Sequence, residues 1–166
     1  MTNAFLYRMP AGIPGDVNRA QQATIEAQVL TPSGTTGHPT AYGLAVSIDS
    51  STHQVRVVAD PDTSAYGFLV RPYPTASSTD GLSTSTPPLT GLCDVLKRGY
   101  MTVKLGGSTA AAKGGAVYVW SSADSGDHVQ GQVEAANPST DGFAITGAYF
   151  MGPADDNGNV EIAFNI

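Results

Sequence analysis

The chain is built on short alternating runs. Tyr100–Leu105 places Tyr100, Thr102 and Lys104 on one side of an extended backbone and Met101, Val103 and Leu105 on the other, the period of two that a strand imposes. Ala116–Trp120 is β-branched and aromatic and follows a glycine pair. Between them Gly106–Gly115 consists of small residues around Lys113 and reads as a flexible hairpin loop. Two strands cannot stand alone in water, so the rest of the chain is expected to supply more sheet.

It does so on both sides. Ala23–Leu30 offers Ile25, Ala27 and Val29 on one face and Thr24, Glu26 and Gln28 on the other, which predicts a half-buried strand with the aliphatic side inward. Ala41–Ile48, with Tyr42, Leu44, Val46 and Ile48 in step, predicts a second strand; Gln54–Ala59 predicts a third that closes a hairpin across the turn residues Asp49–Thr52. Asp60-Pro61-Asp62 is a turn signal, in which both aspartates are expected to cap. Tyr66–Arg71 reads as a short buried strand ending at Pro72, and Leu92–Lys97 as either the start of a strand or one helical turn. Val129–Ala135 is a weak strand. Gly142–Met151 and Val160–Ile166 predict a hairpin around Asn157-Gly158, lying near Tyr100–Leu105 and Ala116–Trp120.

The expected fold is therefore all-β: an antiparallel sandwich or barrel, jelly-roll-like. Two segments fall outside the alternation. Met1–Gly15 mixes Phe5, Leu6, Tyr7, Met9 and Ile13 with Pro10, Gly12, Pro14 and Gly15. It is too broken for a helix and too apolar for a solvated tail. It reads as an extended arm lying on its own sheet or on a neighbouring subunit, with Arg8 and Arg19 as anchors. Residues 1–20 form this arm and 21–166 a single β domain, interrupted by a long loop at about 72–91, a length that points to interaction.

Composition narrows the function. Charged residues make up 13% of the chain, about half the usual ~25%, and hydroxyl and amide side chains take their place, as on a surface held against other proteins. The net charge is −6, with eight scattered Lys and Arg, which excludes a nucleic-acid footprint. Cys93 is the single cysteine, so no intrachain disulfide forms. No signal peptide and no membrane span is legible, so the chain is expected to be soluble when made.

Catalytic and metal motifs fail one by one. Lys113 lacks the spacing of a phosphate loop. His38, His53 and His128 lie in separate loops without metal-ligand spacing, and Asp155-Asp156-Asn157-Gly158 lacks the ligand pattern of a calcium loop. No G-x-S-x-G occurs, Glu134 and Glu161 are expected to face outward from strands, and Cys93 reads as inert core. Trp120, Tyr100, Tyr118, Tyr149 and Phe150 are of sugar-stacking types, which keeps a carbohydrate- or receptor-binding β-sandwich as the alternative. No enzyme, metal or cofactor is expected.

Several segments in order carry a resemblance. They are Phe5–Asp16 with Arg8-Met9-Pro10 and Gly12-Ile13-Pro14-Gly15, then Asp16-Val17-Asn18-Arg19, Arg98-Gly99-Tyr100-Met101, Lys113-Gly114-Gly115-Ala116-Val117-Tyr118-Val119, and Val160-Glu161-Ile162-Ala163-Phe164-Asn165. With these the chain resembles tailed-bacteriophage capsid cement (decoration) proteins, the structural cement family of podovirus-like heads. The resemblance implies a virion protein made in the host bacterial cytoplasm, bound to the capsid exterior, stabilising contacts between major capsid subunits without catalysis or cofactor. Its implied partners are the major capsid protein and copies of itself, as a dimer or trimer, with no nucleic acid and no membrane. The implied contact residues are Phe5, Leu6, Tyr7, Arg8, Met9, Ile13 and Arg19 on the arm, followed by the turn Lys97-Arg98 and the long loop.

Overall fold

A computed structural model describes residues 11–72 and 86–166. They form nine strands: β1 Thr24–Leu30, β2 Ala45–Ile48, β3 Val55–Val57, β4 Gly67–Val70, β5 Gly91–Gly106, β6 Ala116–Trp120, β7 Val133–Glu134, β8 Gly142–Phe150 and β9 Asn159–Phe164. The helical content among the described residues is one 3₁₀ turn, Ala20–Gln22. The all-β expectation holds.

β5 organises the rest. Its 16 residues absorb both Leu92–Lys97 and Tyr100–Leu105, so the choice between a strand start and a helical turn resolves to strand. Its first half pairs with β1 (Ala27↔Asp94) and with β4 (Val70↔Asp94). Its second half pairs with β9 (Met101↔Ile162) and, in parallel, with β7 (Leu105↔Val133). The remaining pairings run β1–β3–β2–β4 on one side and β7–β6–β8–β9 on the other, so each half of β5 closes its own ring of strands. Only β1–β3 and β5–β7 are parallel.

This topology corrects one expectation. The small-residue stretch after β5 is not the loop of a β5–β6 hairpin, because β7 lies between those strands. The predicted Val129–Ala135 strand shortens to β7, and its two residues suffice to seal the ring. The β2–β3 and β8–β9 hairpins form as the sequence predicts. In the latter turn the Asp155 carboxylate accepts the N–H groups of Asn157 and Asn159 at 2.9 and 2.8 Å.

Gly99 joins the two halves of β5. Its φ is +139°, a region that side chains avoid, and a Cβ there would sit 3.1 Å from the Ala23 Cα and 3.2 Å from a Leu96 methyl. Side chains on either side of it fill two cores. Leu30, Val46, Val55, Leu69, Cys93 and Val95 pack inside the first ring. Phe68 and Leu96 pack with Met101, Val103, Phe150, Ile162 and Phe164 in the larger second core. Phe68 and Phe164 meet edge to face at 5.3 Å between centroids, and each such side chain contributes about 1.5–3 kcal/mol on burial.

The β3–β4 turn is held by Asp62. Its carboxylate accepts from Ser47 Oγ at 2.8 Å, Arg56 Nη2 at 2.8 Å and the Ala59 N–H at 3.0 Å. Burial pushes this carboxyl up, but the bonds from Arg56, Ala59 and Ser47 outweigh it and hold the group below its ordinary 3.8.

Two tests follow from this fold. Gly99→Ala is expected to lower stability by about 1–3 kcal/mol, read as a reduced urea midpoint at unchanged slope. A carboxyl depressed in the fold stabilises above its unfolded value, and that stability is lost as pH falls through its folded value. The fall should therefore start near pH 4 and continue below it, and Asp62→Asn should be weaker at neutral pH with a flatter acid limb in melting temperature against pH.

Candidate interaction surface

Strand β1 has its polarity reversed. The alternation expected from the sequence is present, but the aliphatic side faces solvent: Ile25 is 44% and Val29 46% exposed. Opposite Val29 on β5 sits Leu92, 71% exposed, with Leu89 equally open just before the strand. The inward side carries Glu26, Gln28 and Leu30. Leu30 enters the first core, while Tyr66 Oη donates to Glu26 Oε2 at 2.5 Å and accepts from Gln28 Nε2 at 3.3 Å.

The physical reason lies in where the second ring ends. On the shared outer face, Ile25 stands opposite Leu96, and Leu96 opposite Phe68. The second core covers Leu96 and Phe68 completely but does not extend across β1. An apolar strip is left, with a shallow groove of about 190 Å³ between Ala27, Val70, Leu92, Pro72 and Pro88.

The residues expected from the sequence to make contacts separate. Phe5, Leu6, Tyr7, Arg8 and Met9 lie outside the described residues, as does 73–85 of the long loop. The described part of the arm lies on its own chain. Gly15 N–H donates to Thr102 O at 2.8 Å, Thr102 N–H to Asp16 O at 2.9 Å and Asn18 N–H to Tyr100 O at 3.0 Å. Ile13 is half-buried in the turn before this pairing, its carbonyl accepting the Asp16 N–H.

Arg19 lies against its own chain. Its guanidinium lies 3.8 Å from the Tyr100 ring centre and 3.3 Å from Glu161 Oε2. Lys97-Arg98 is not a turn but the middle of β5, which runs through it because Leu96 on one side pairs with Ile25 of β1 and Gly99 on the other with Phe164 of β9. Lys97 Nζ sits 3.1 Å over the Tyr66 ring and donates to Tyr66 O at 2.5 Å. Burial lowers Lys97, only partly offset by the nearby Glu26 charge. Arg98 Nε donates to Asn165 O at 3.2 Å. These four residues do not converge on one site.

The other candidate chemistry also settles into structural roles. Glu134, expected outward, is 3% exposed, and His128 Nδ1 approaches its Oε1 to 2.5 Å. Its strand neighbour Val133 faces the second core, so Glu134 points to the opposite face, where His128 and the backbone at Gly107 cover it. Glu161 is half-buried for a different reason: Asn18 and Arg19 of the arm cover it. Trp120 stacks on His128 at 4.2 Å between ring centres and donates to Ala123 O at 3.0 Å, so one face of the indole is occupied. Tyr100 and Phe150 are buried and Tyr118 and Tyr149 half-buried. Cys93 is buried, and desolvation, with the charge of Asp94, pushes its thiol up to about 11. Among the described residues no three of His, Cys, Asp and Glu gather as a metal site would require.

The sequence did not mark Ile25, Val29 and Leu92 as surface residues. Period two identifies two faces without saying which is covered, and the partner that draws Glu26 and Gln28 inward, Tyr66, is 38–40 residues away.

The comparisons with known proteins agree with this picture. The family model described as XM1 gp53 minor capsid protein matches residues 1–164. The chain belongs to that family. A solved chain from "The capsid of Myoviridae Phage XM1" aligns with a TM-score of 0.68 at 19% identity, covering 99% of this chain and 97% of that one. No curated protein matches. The protein is thus a structural protein of a phage virion, associated with other capsid components.

Removing the His128 imidazole leaves the buried Glu134 carboxylate without that partner. His128→Ala is expected to cost about 1–3 kcal/mol, whereas Lys113→Ala, on the exposed loop, should stay within about 0.5 kcal/mol; chemical denaturation of both variants checks this.

Proposed function

We propose that this minor capsid protein acts as a cement, binding the outside of an assembled phage head and stabilising contacts between major capsid subunits. The observation that carries the reading is the outward aliphatic face of β1 and the start of β5. Ile25, Val29, Leu89 and Leu92 are all exposed on a chain whose other large aliphatic side chains are mostly buried. Contiguous apolar surface that a fold leaves open marks a place where another protein sits.

The low charge of the chain fits a surface that spends its working life against neighbours. The energetics need only modest affinity per site. A protein that binds the assembled lattice, and not its dispersed subunits, shifts the equilibrium toward intact shells by mass action. In this reading the arm and the basic residues Arg19 and Arg98 supply secondary contacts away from that face. Nothing in the reading requires catalysis, and synthesis as a soluble cytoplasmic chain before docking is consistent with it.

Heads lacking the protein should release their contents at lower temperature, and adding the purified chain should restore resistance. Ile25→Lys, Val29→Lys and Leu92→Lys change solvent-facing positions, so each is expected to weaken co-sedimentation with heads at least about tenfold, the equivalent of ~1.4 kcal/mol, at unchanged melting temperature. Full binding by all three variants would remove the proposal.

A further inference from the structure

Strand β1 exposes backbone as well as side chains. Its pairs with β5 follow the antiparallel register Leu30↔Gly91, Gln28↔Cys93 and Glu26↔Val95. On the other edge, among the described residues, only the end is occupied: Leu30 pairs with Val55 of β3, and the Thr31 N–H donates to Val55 O. Because successive residues of a strand direct their hydrogen-bonding groups to opposite edges, Ile25 and Ala27 point theirs away from β5. Among the described residues these groups have no backbone partner. An apolar face beside an unpaired edge is a template for an added strand, and no Pro, Lys or Gly interrupts Thr24–Val29 to discourage it.

We propose that this edge takes residues Ala4–Met9 of a second copy as an added strand, linking neighbouring copies in a chain of exchanged arms. The inference rests on the cement reading, which supplies the neighbouring copies. Three observations select the occupant. First, Ala4–Met9 lies between Asn3 and Pro10, contains neither Pro nor Gly, and alternates Phe5, Tyr7 and Met9 with Ala4, Leu6 and Arg8. Second, its length matches that of the open edge, Thr24–Val29.

Third, the chain's own arm does not reach. Ala11 is fixed beside Thr102, whose hydroxyl donates to the Ala11 carbonyl, and Asn159 Nδ2 donates to Gly12 O at 3.1 Å. From Thr102 back to Val95, level with Glu26, the seven residues of β5 span ~23 Å at ~3.3 Å each, and still ~16 Å with a right-angle bend at Gly99. Crossing β1 to its far edge adds ~5 Å. The backbone from Ala11 to Tyr7 covers at most ~14 Å. Tyr7 of the same copy falls short, and Tyr7 of a neighbour does not have to make that crossing.

Disulfide trapping tests the exchange with the full-length chain, both in solution and bound to heads. Copies carrying Tyr7→Cys are mixed with differently tagged copies carrying Ala27→Cys, under mild oxidation; buried Cys93 does not compete. The mixed-tag disulfide should form at least about tenfold faster than when Lys113→Cys replaces Ala27→Cys. A rate equal to that control in both settings overturns the proposal. So does closure within one chain in the Tyr7→Cys/Ala27→Cys double variant at high dilution, or linkage of Ala27→Cys to a capsid subunit instead. Head binding measured on the same samples separates the two ideas: copies that bind heads without cross-linking remove the exchanged arm alone, and copies that cross-link without binding heads remove the cement reading alone.

Discussion

Every other part of this fold depends on β5 being paired along both edges through most of its length. β1 and β4 flank its first half, while β9 flanks the second opposite the arm and β7. A strand in that position satisfies its backbone groups without solvent, and it forces its neighbours into fixed registers. Because the pairings return to β5 from both directions, each half closes a ring, and closure removes the free edges that an open sheet would carry. The bend at Gly99 lets one strand serve two rings, placing Leu96 and Met101 in a common core.

The proposed function follows from where that closure is incomplete. β3 meets β1 at a single register pair, so the first ring is sealed at one end of β1 and open along the rest. The second core covers Phe68 and Leu96 on the outer face of β4 and β5 and ends before Leu92 and β1. Among the described residues, the unpaired backbone and the uncovered Ile25 and Val29 therefore fall on the same strand, beside the exposed Leu92 of β5. A lone catalytic domain gains nothing from such a strand and risks aggregation. In a family of minor capsid proteins, a surface that is costly to leave in water contributes binding once neighbours are in place.

Much of this was legible in the sequence. The alternation in Tyr100–Leu105, the branched run Ala116–Trp120 and the Asn157-Gly158 turn all encode local geometry, and the structure follows them. What the sequence could not give was set by distant partners. Leu92–Lys97 and Tyr100–Leu105 looked separate because Lys97-Arg98 read as a turn; only pairing to both β1 and β9 makes them continuous. Glu134 looked like a surface residue because nothing in its own strand reveals that His128 and the backbone at Gly107 cover it. The resemblance to capsid proteins rested on the order of motifs spread through the chain, and those motifs map to the arm, β5, β6 and β9.

The reversed polarity of β1 is fixed by its inward side. Leu30 is 1% exposed in the first core, and sliding the strand by one residue would bring it out while turning Ile25 and Val29 in. That slip would also strip Tyr66 Oη of Glu26 and Gln28, and would take Glu26 away from Lys97, which stands over the same ring. Restoring water to those groups individually is cheap, but the network acts as a unit and its members are displaced together. Exposure of Ile25 and Val29 is thus a consequence of a polar cluster and one leucine holding the register. The aliphatic strip is held in register by the same contacts that hold Leu30 in the core, which suits the proposed role of meeting the same neighbour at every position of a repeating shell.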